Sequence, residues 1–175
     1  MGWLQDKYGL TWQIIYVGDE SIVGGSKQKI TPVIMYVGSV FGKAEEAVNF
    51  YTSVFSKKGE AKVQKLEHYG KGEEPNKDGT LKYGSFTLFG QEFGAMDGAG
   101  PHEFTFNEAI SFIVRCKDQE EIDYFWEKLS AVPESEQCGW LKDKYGVSWQ
   151  IVPTAMDEMM ASGDQEKIDR VTQAF

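Results

Sequence analysis

The sequence predicts an α+β protein of two modules, each opening with a strand and a helix, with further helices at the C-terminus. Three observations carry this reading. Between residues 30 and 98 a β-rich run, an amphipathic helix and three more strand-like runs follow one another. The strand-then-helix order restarts at Phe104, and a hairpin-like segment near the end of the chain also stands at its beginning.

Ile30-Thr-Pro-Val-Ile-Met-Tyr-Val37 is rich in β-formers, and Pro32 is tolerable near a strand start. From Lys43 to Phe55, Ala44, Ala47, Val48, Tyr51 and Phe55 recur at helical spacing opposite Glu45, Glu46 and Asn49. Ala61–Tyr69 alternates as a second strand, and Gly70–Gly79 is a charged, exposed loop. Leu81–Phe89 and Glu92–Met96 flank Gly90-Gln91, which suits a type II′ hairpin and completes a βαβββ module. In the second module Phe104–Cys116 reads as a strand, and Asp118 caps a helix whose Ile122, Phe125, Trp126 and Leu129 form an apolar stripe. After Pro133 a short extended stretch leads into a hairpin over Gly139–Val152, so this module has shorter or fewer strands. Thr154–Ala161 and Asp164–Phe175 read as helices separated by Ser162-Gly163.

The repeat is specific. Gly2–Ile14 returns 137 residues later as Gly139–Ile151, with ten of thirteen positions identical; the differences are Gln5/Lys142, Leu10/Val147 and Thr11/Ser148. Each copy has a Trp-Leu strand, an Asp-Lys-Tyr-Gly turn and an alternating strand bearing Trp12 and Ile14, or Trp149 and Ile151, on one face. Residues 1–15 are therefore expected to be the closing hairpin of a preceding domain copy, docked on a sheet edge or a partner chain. Residues 16–29 form a linker and residues 30–175 the main domain, with modules at 30–98 and 104–153 and helices over 154–175.

Composition limits the partners. With 27 acidic and 18 basic residues the formal charge is −9, which repels a phosphate backbone, so nucleic acid is not an expected partner. The longest apolar runs fall far short of the ~20 residues a membrane helix needs, and the N-terminus has no basic flank or apolar leader core, which points to the cytoplasm. Cys116 and Cys138 have no metal-binding or redox spacing.

Four stretches carry a resemblance: Glu45–Tyr51, Phe86–Phe93, Phe104–Phe112 and Gln137–Pro153. Together the chain from Ile30 to Phe175 resembles the PhnB-like group of the vicinal oxygen chelate (glyoxalase/bleomycin resistance) superfamily, often labelled by a 3-demethylubiquinone-9 3-methyltransferase name. The resemblance implies paired βαβββ modules whose mixed sheets curl around a cavity, assembled as a homodimer. Metalloenzymes of the superfamily hold a divalent ion on the first and last strands of each module. By strand pattern those positions fall near Thr31 or Pro32, near Ala95, at Ala109 and at Gln150, none of them anionic or imidazole, so no metal site and no cofactor are expected.

The candidate catalytic groups are His102 or Glu108 as acid/base residues at the cavity mouth, His102 acting with Glu103 or Glu108, and Cys138 as a nucleophile. Met35, Phe86, Phe112, Cys138, Trp140 and Gln150 are the candidate ligand-binding residues. The expected function is metal-independent binding of a small, partly apolar molecule, with or without turnover. The alternatives are a divalent-metal-dependent lyase, isomerase or dioxygenase, and a drug-sequestering binding protein. Methyl transfer is disfavoured, because a methyl donor needs a strand, a glycine-rich turn and a helix, and neither Gly24-Gly25 nor Gly70-Lys-Gly72 opens one.

Overall fold

A computed structural model describes residues 2–16 and 28–173. The chain divides into two compact units, Met1–Thr31 and Pro32–Phe175. Most of the expected linker lies outside the described residues, as do the last two positions of the final helix.

The first unit holds an antiparallel hairpin of β1 (Gly2–Gln5) and β2 (Thr11–Ile14), in register Gly2↔Ile14 through Gln5↔Thr11. Asp6 closes its turn. One carboxylate oxygen accepts from the amides of Tyr8 (2.9 Å) and Leu10 (3.0 Å), and the other from the Trp12 indole N–H (3.0 Å). These bonds, the indole first, hold the Asp6 carboxyl below its ordinary range. Trp3, Leu4, Tyr8, Leu10 and Ile14 are exposed.

In the second unit β3 (Val33–Tyr36), α1 (Ala44–Phe55), β4 (Ala61–His68), β5 (Leu81–Leu88) and β6 (Gln91–Asp97) form the first module. Its sheet has the order β3-β6-β5-β4, with β3 parallel to β6 and the other pairs antiparallel. Gly38 and Gly42, both at positive φ, turn the chain from β3 into α1. The N-terminal amides of α1 find an acceptor in Asp97, a buried residue of β6, which takes Gly42 N at 2.8 Å, Ala44 N at 3.2 Å and also Leu81 N at 2.9 Å. A strand, glycine turn and helix therefore do exist here, contrary to the sequence reading, but an internal carboxylate already fills the helix N-terminus where an anionic group would sit.

The β5–β6 turn is one residue earlier than expected. Leu88 pairs with Gln91, and Phe89 (φ 50°) and Gly90 (φ 79°) are both left-handed, as a type I′ turn requires.

The second module is βαββ: β7 (Ser111–Cys116), α2 (Gln119–Leu129), β8 (Trp140–Lys142) and β9 (Ser148–Pro153), in the order β7-β9-β8 with β7 parallel to β9. Asp118 caps α2 by accepting from Glu121 N at 2.9 Å. Where the first module has a further strand, this one has only a single 3₁₀ turn over Pro133–Ser135. Residues 104–110 are not strand: Phe106 turns its ring onto Tyr36 (5.4 Å), and Asn107 takes Ala109 N (2.9 Å) in a side-chain turn that ends the extension. Two helices, α3 (Thr154–Ala161) and α4 (Gln165–Gln173), follow.

One aromatic core joins the modules. Trp149 lies 5.3 Å from Tyr51, 5.4 Å from Phe112 and 5.6 Å from Phe55, while Phe93 meets Phe112 edge-on at 5.2 Å. At its centre Asp143 accepts four hydrogen bonds, from Tyr51 Oη (2.7 Å), Trp149 Nε1 (2.8 Å), Tyr145 N (2.9 Å) and Val147 N (3.0 Å).

Candidate functional site

Strand alternation gives each sheet a face turned to its helix and a face turned away. In the first module Ile34, Tyr36, Phe86, Phe93, Ala95 and Asp97 are buried on the helix side. Their neighbours Val33, Met35, Gly94 and Met96 lie on the open face, paired Val33↔Gly94 and Met35↔Met96. In the second module Phe112, Val114, Leu141, Trp149 and Ile151 enter the core, while Ser111, Ile113, Trp140, Lys142, Ser148 and Gln150 share the open face.

This open face carries the candidate site, a groove of about 470 Å³ lined by Trp140, Lys142, Ser148, Glu108, Cys138 and the chain around Ser135. Lys142 reaches across to an ion pair with Glu108, and that hydrogen bond keeps the Glu108 carboxyl below its usual range. The Ser148 hydroxyl is buried without a hydrogen-bond partner. Beside it the Gln150 side-chain amide donates to Ser111 Oγ at 2.7 Å, spanning the parallel pair of strands. Cys138 is exposed and left-handed (φ 49°), followed by Gly139 (φ 83°). Paired bonds between Gln137 and Trp140 close this second type I′ turn at the end of the groove.

The structure separates the sequence candidates into three groups. Glu108, Cys138 and Trp140 line the groove, and Gln150 adjoins it on the same face. Met35 lies on the open face of the first module's sheet, and His102 is nearby, its ring 5.1 Å from Phe104 and close to Gly98, as is the Met35 side chain. Phe86 is fully buried between Tyr51 and Phe93, and Phe112 packs on Phe93 and Trp149, so both belong to the core that joins the modules. Sequence reasoning missed Lys142, Ser148 and Ser111. The alternation Trp140-x-Lys142 and Ser148-x-Gln150 puts all but Ser111 on the face opposite Leu141 and Trp149, and that was the available signal.

The metal positions also shift. Ala95 faces α1 and Ala109 lies outside any strand, so by alternation the open-face positions of the first and last strands are Val33 and Met35, Glu92, Gly94 and Met96, Ser111, Ile113 and Arg115, and Ser148, Gln150 and Val152. Glu92 is the one carboxylate among them and none is an imidazole, so these side chains do not supply the three or four ligands a divalent ion needs. Among the described residues no group of three or more His, Cys, Asp or Glu is placed to hold one.

The comparisons agree with this architecture. Residues 28–152 match the family profile of 3-demethylubiquinone-9 3-methyltransferase. A solved structure from Bacillus cereus, a putative 3-demethylubiquinone-9 3-methyltransferase or PhnB protein, is 42% identical; the match covers 72% of this chain and 99% of that one, with TM-score 0.60. Protein PA1353 from Pseudomonas aeruginosa is similar in fold alone, at 14% identity over 73% of this chain and 98% of that one, TM-score 0.55. No curated protein matches the chain. The span matched by the family profile takes in both modules, the four-stranded sheet and the three-stranded sheet that carries the groove.

Proposed function

Because the chain belongs to the PhnB-like family that carries the 3-demethylubiquinone-9 3-methyltransferase name, we propose that it binds a small, partly apolar molecule on the open face of β7-β9-β8, without a divalent metal. The observation that carries this is the groove's composition: an indole wall at Trp140, one ammonium at Lys142 and a buried hydroxyl at Ser148 that lacks a partner. A desolvated hydroxyl without a hydrogen bond costs about 1–3 kcal/mol, which a ligand acceptor or donor would recover. Lys142 favours a ligand carrying a carboxylate or another anion, provided that group displaces Glu108 or shares the lysine with it.

The working form in this reading is a homodimer. Ile113 is 49% exposed on the open face of one sheet and Tyr83 37% exposed in the other, and a second copy would cover such faces. The free thiols Cys116 and Cys138 suit a reducing cytoplasm, and no described helix is long and apolar enough to cross a membrane.

The test is a thermal-shift screen of small aromatic carboxylates against the full chain, repeated on Lys142→Met and Trp140→Ala. Support is a saturable stabilisation by at least one compound that both variants lose. Tight, stoichiometric binding of zinc, nickel or iron by the chelator-free protein would defeat the metal-independent reading.

A further inference from the structure

The two hairpins differ in what covers them. Leu4 is 48% exposed where Leu141 is 1% exposed, Tyr8 83% where Tyr145 is 5%, and Ile14 57% where Ile151 is 4%. Trp12, Tyr8, Leu4 and Ile14 are identical in type to the residues that bury the later hairpin, so the earlier one carries the same apolar pattern, with Leu4, Tyr8 and Ile14 exposed. Its internal bonding is also the same: Asp6 takes two turn amides and the indole, as Asp143 does, and only the fourth donor, Tyr51 Oη, is missing from Asp6. Two of the three differences, Gln5/Lys142 and Thr11/Ser148, fall where the later hairpin faces the groove, and Leu10/Val147 is apolar in both. The core-facing pattern has been kept.

The later hairpin therefore displays the surface that fits the earlier one. That surface consists of the edge of β7, the hydroxyl of Tyr51, and Phe55 and Phe112 around the indole. We propose that residues 2–14 are a second closing hairpin whose partner is a second copy of this chain, where it fills this seat in place of that copy's residues 139–151. Ten identities in thirteen leave the seat little basis for discriminating between them. The resident hairpin holds its place through its short tether to α2, which gives it a high effective concentration; the incoming one gains when the resident is weakened or the chain is concentrated. Exchange also alters the groove, because Gln5 replaces Lys142 and the ion pair to Glu108 is lost.

Trp149→Ala in the full chain weakens the resident hairpin and leaves residues 2–14 intact. The expected result is that the unfolding temperature of this variant rises over a hundredfold increase in concentration, and that adding Trp12→Ala removes the rise. An association through the open sheet faces would not respond to Trp12. A temperature independent of concentration, or a rise unaffected by Trp12→Ala, overturns the proposal. In case Trp149→Ala does not fold, the second measurement keeps the resident hairpin and uses the register Ile113↔Gln150. Gln13→Cys with Ile113→Cys and Cys138→Ser, in a glutathione redox buffer, should give a dimer linked through positions 13 and 113. The absence of that link, or its formation within a single chain, overturns the proposal.

Discussion

Asp143 shows what a single buried carboxylate does in this molecule. Desolvation raises its pKa, while the bonds from Tyr51, Trp149 and two backbone amides oppose that rise. Asp143→Asn keeps the shape but offers an NH₂ where two donors now point, and should cost on the order of 3 kcal/mol in chemical denaturation. The same change at Asp6 should leave the unfolding of the second unit unaltered, because Asp6 closes a turn in the first. Glu46 behaves in the opposite way. Lys43, Lys144 and the Tyr145 hydroxyl hold it down to about 2. Its contribution is present above the ordinary carboxylate value and is lost as pH falls towards 2, so Glu46→Gln should flatten the acid limb of the stability curve between about 4.5 and 2. Half-exposure of the pair with Lys144 keeps the effect small.

Among the elements, the helices and most strands were legible because burial on one face writes a period into the sequence. The stripe Ala47, Val48, Tyr51, Phe55 gives α1, and Asp118 marks the start of α2 within a residue. Turn registers were not legible. Phe89 and Cys138 adopt positive φ, which side chains with a Cβ avoid, so Gly90 was assigned the first turn position when it occupies the second. The strand expected from Phe104 begins only at Ser111 because Phe106 docks across the modules on Tyr36 and Asn107 closes a side-chain turn, a tertiary effect that alternation cannot express. The type I′ turn at 138–139 can be tested directly. At Gly139 a Cβ would stand 2.9 Å from the carbonyl oxygen of Ile151, on a backbone at φ 83°. Gly139→Ala should therefore lower stability by roughly 2 kcal/mol, whereas Cys138→Asn, a residue at ease in that conformation, should leave the melting temperature unchanged or higher.

At the scale of the whole molecule, the two modules of the second unit share one interior, and the candidate site is the reverse side of the strands that build it. The groove was legible only in part: Trp140 and Cys138 were visible as an indole and a thiol in a strand-like run, but Lys142 and Ser148 acquire meaning only once Leu141 and Trp149 are seen to point inward. If the open faces mediate a homodimer, Ile113→Glu should shift the sedimentation coefficient from dimer to monomer without altering the fold by circular dichroism; an unchanged coefficient would reject that assembly.

The hydrogen bond from the Trp149 indole to Asp143 lies where the β9 hairpin, α1 and β7 meet, so no local fraying can expose it. That single N–H is a built-in gauge of cooperativity. Its deuterium uptake should report the full opening free energy of the domain, while the matching proton on Trp12, held by a half-covered hairpin, exchanges within the dead time of the measurement.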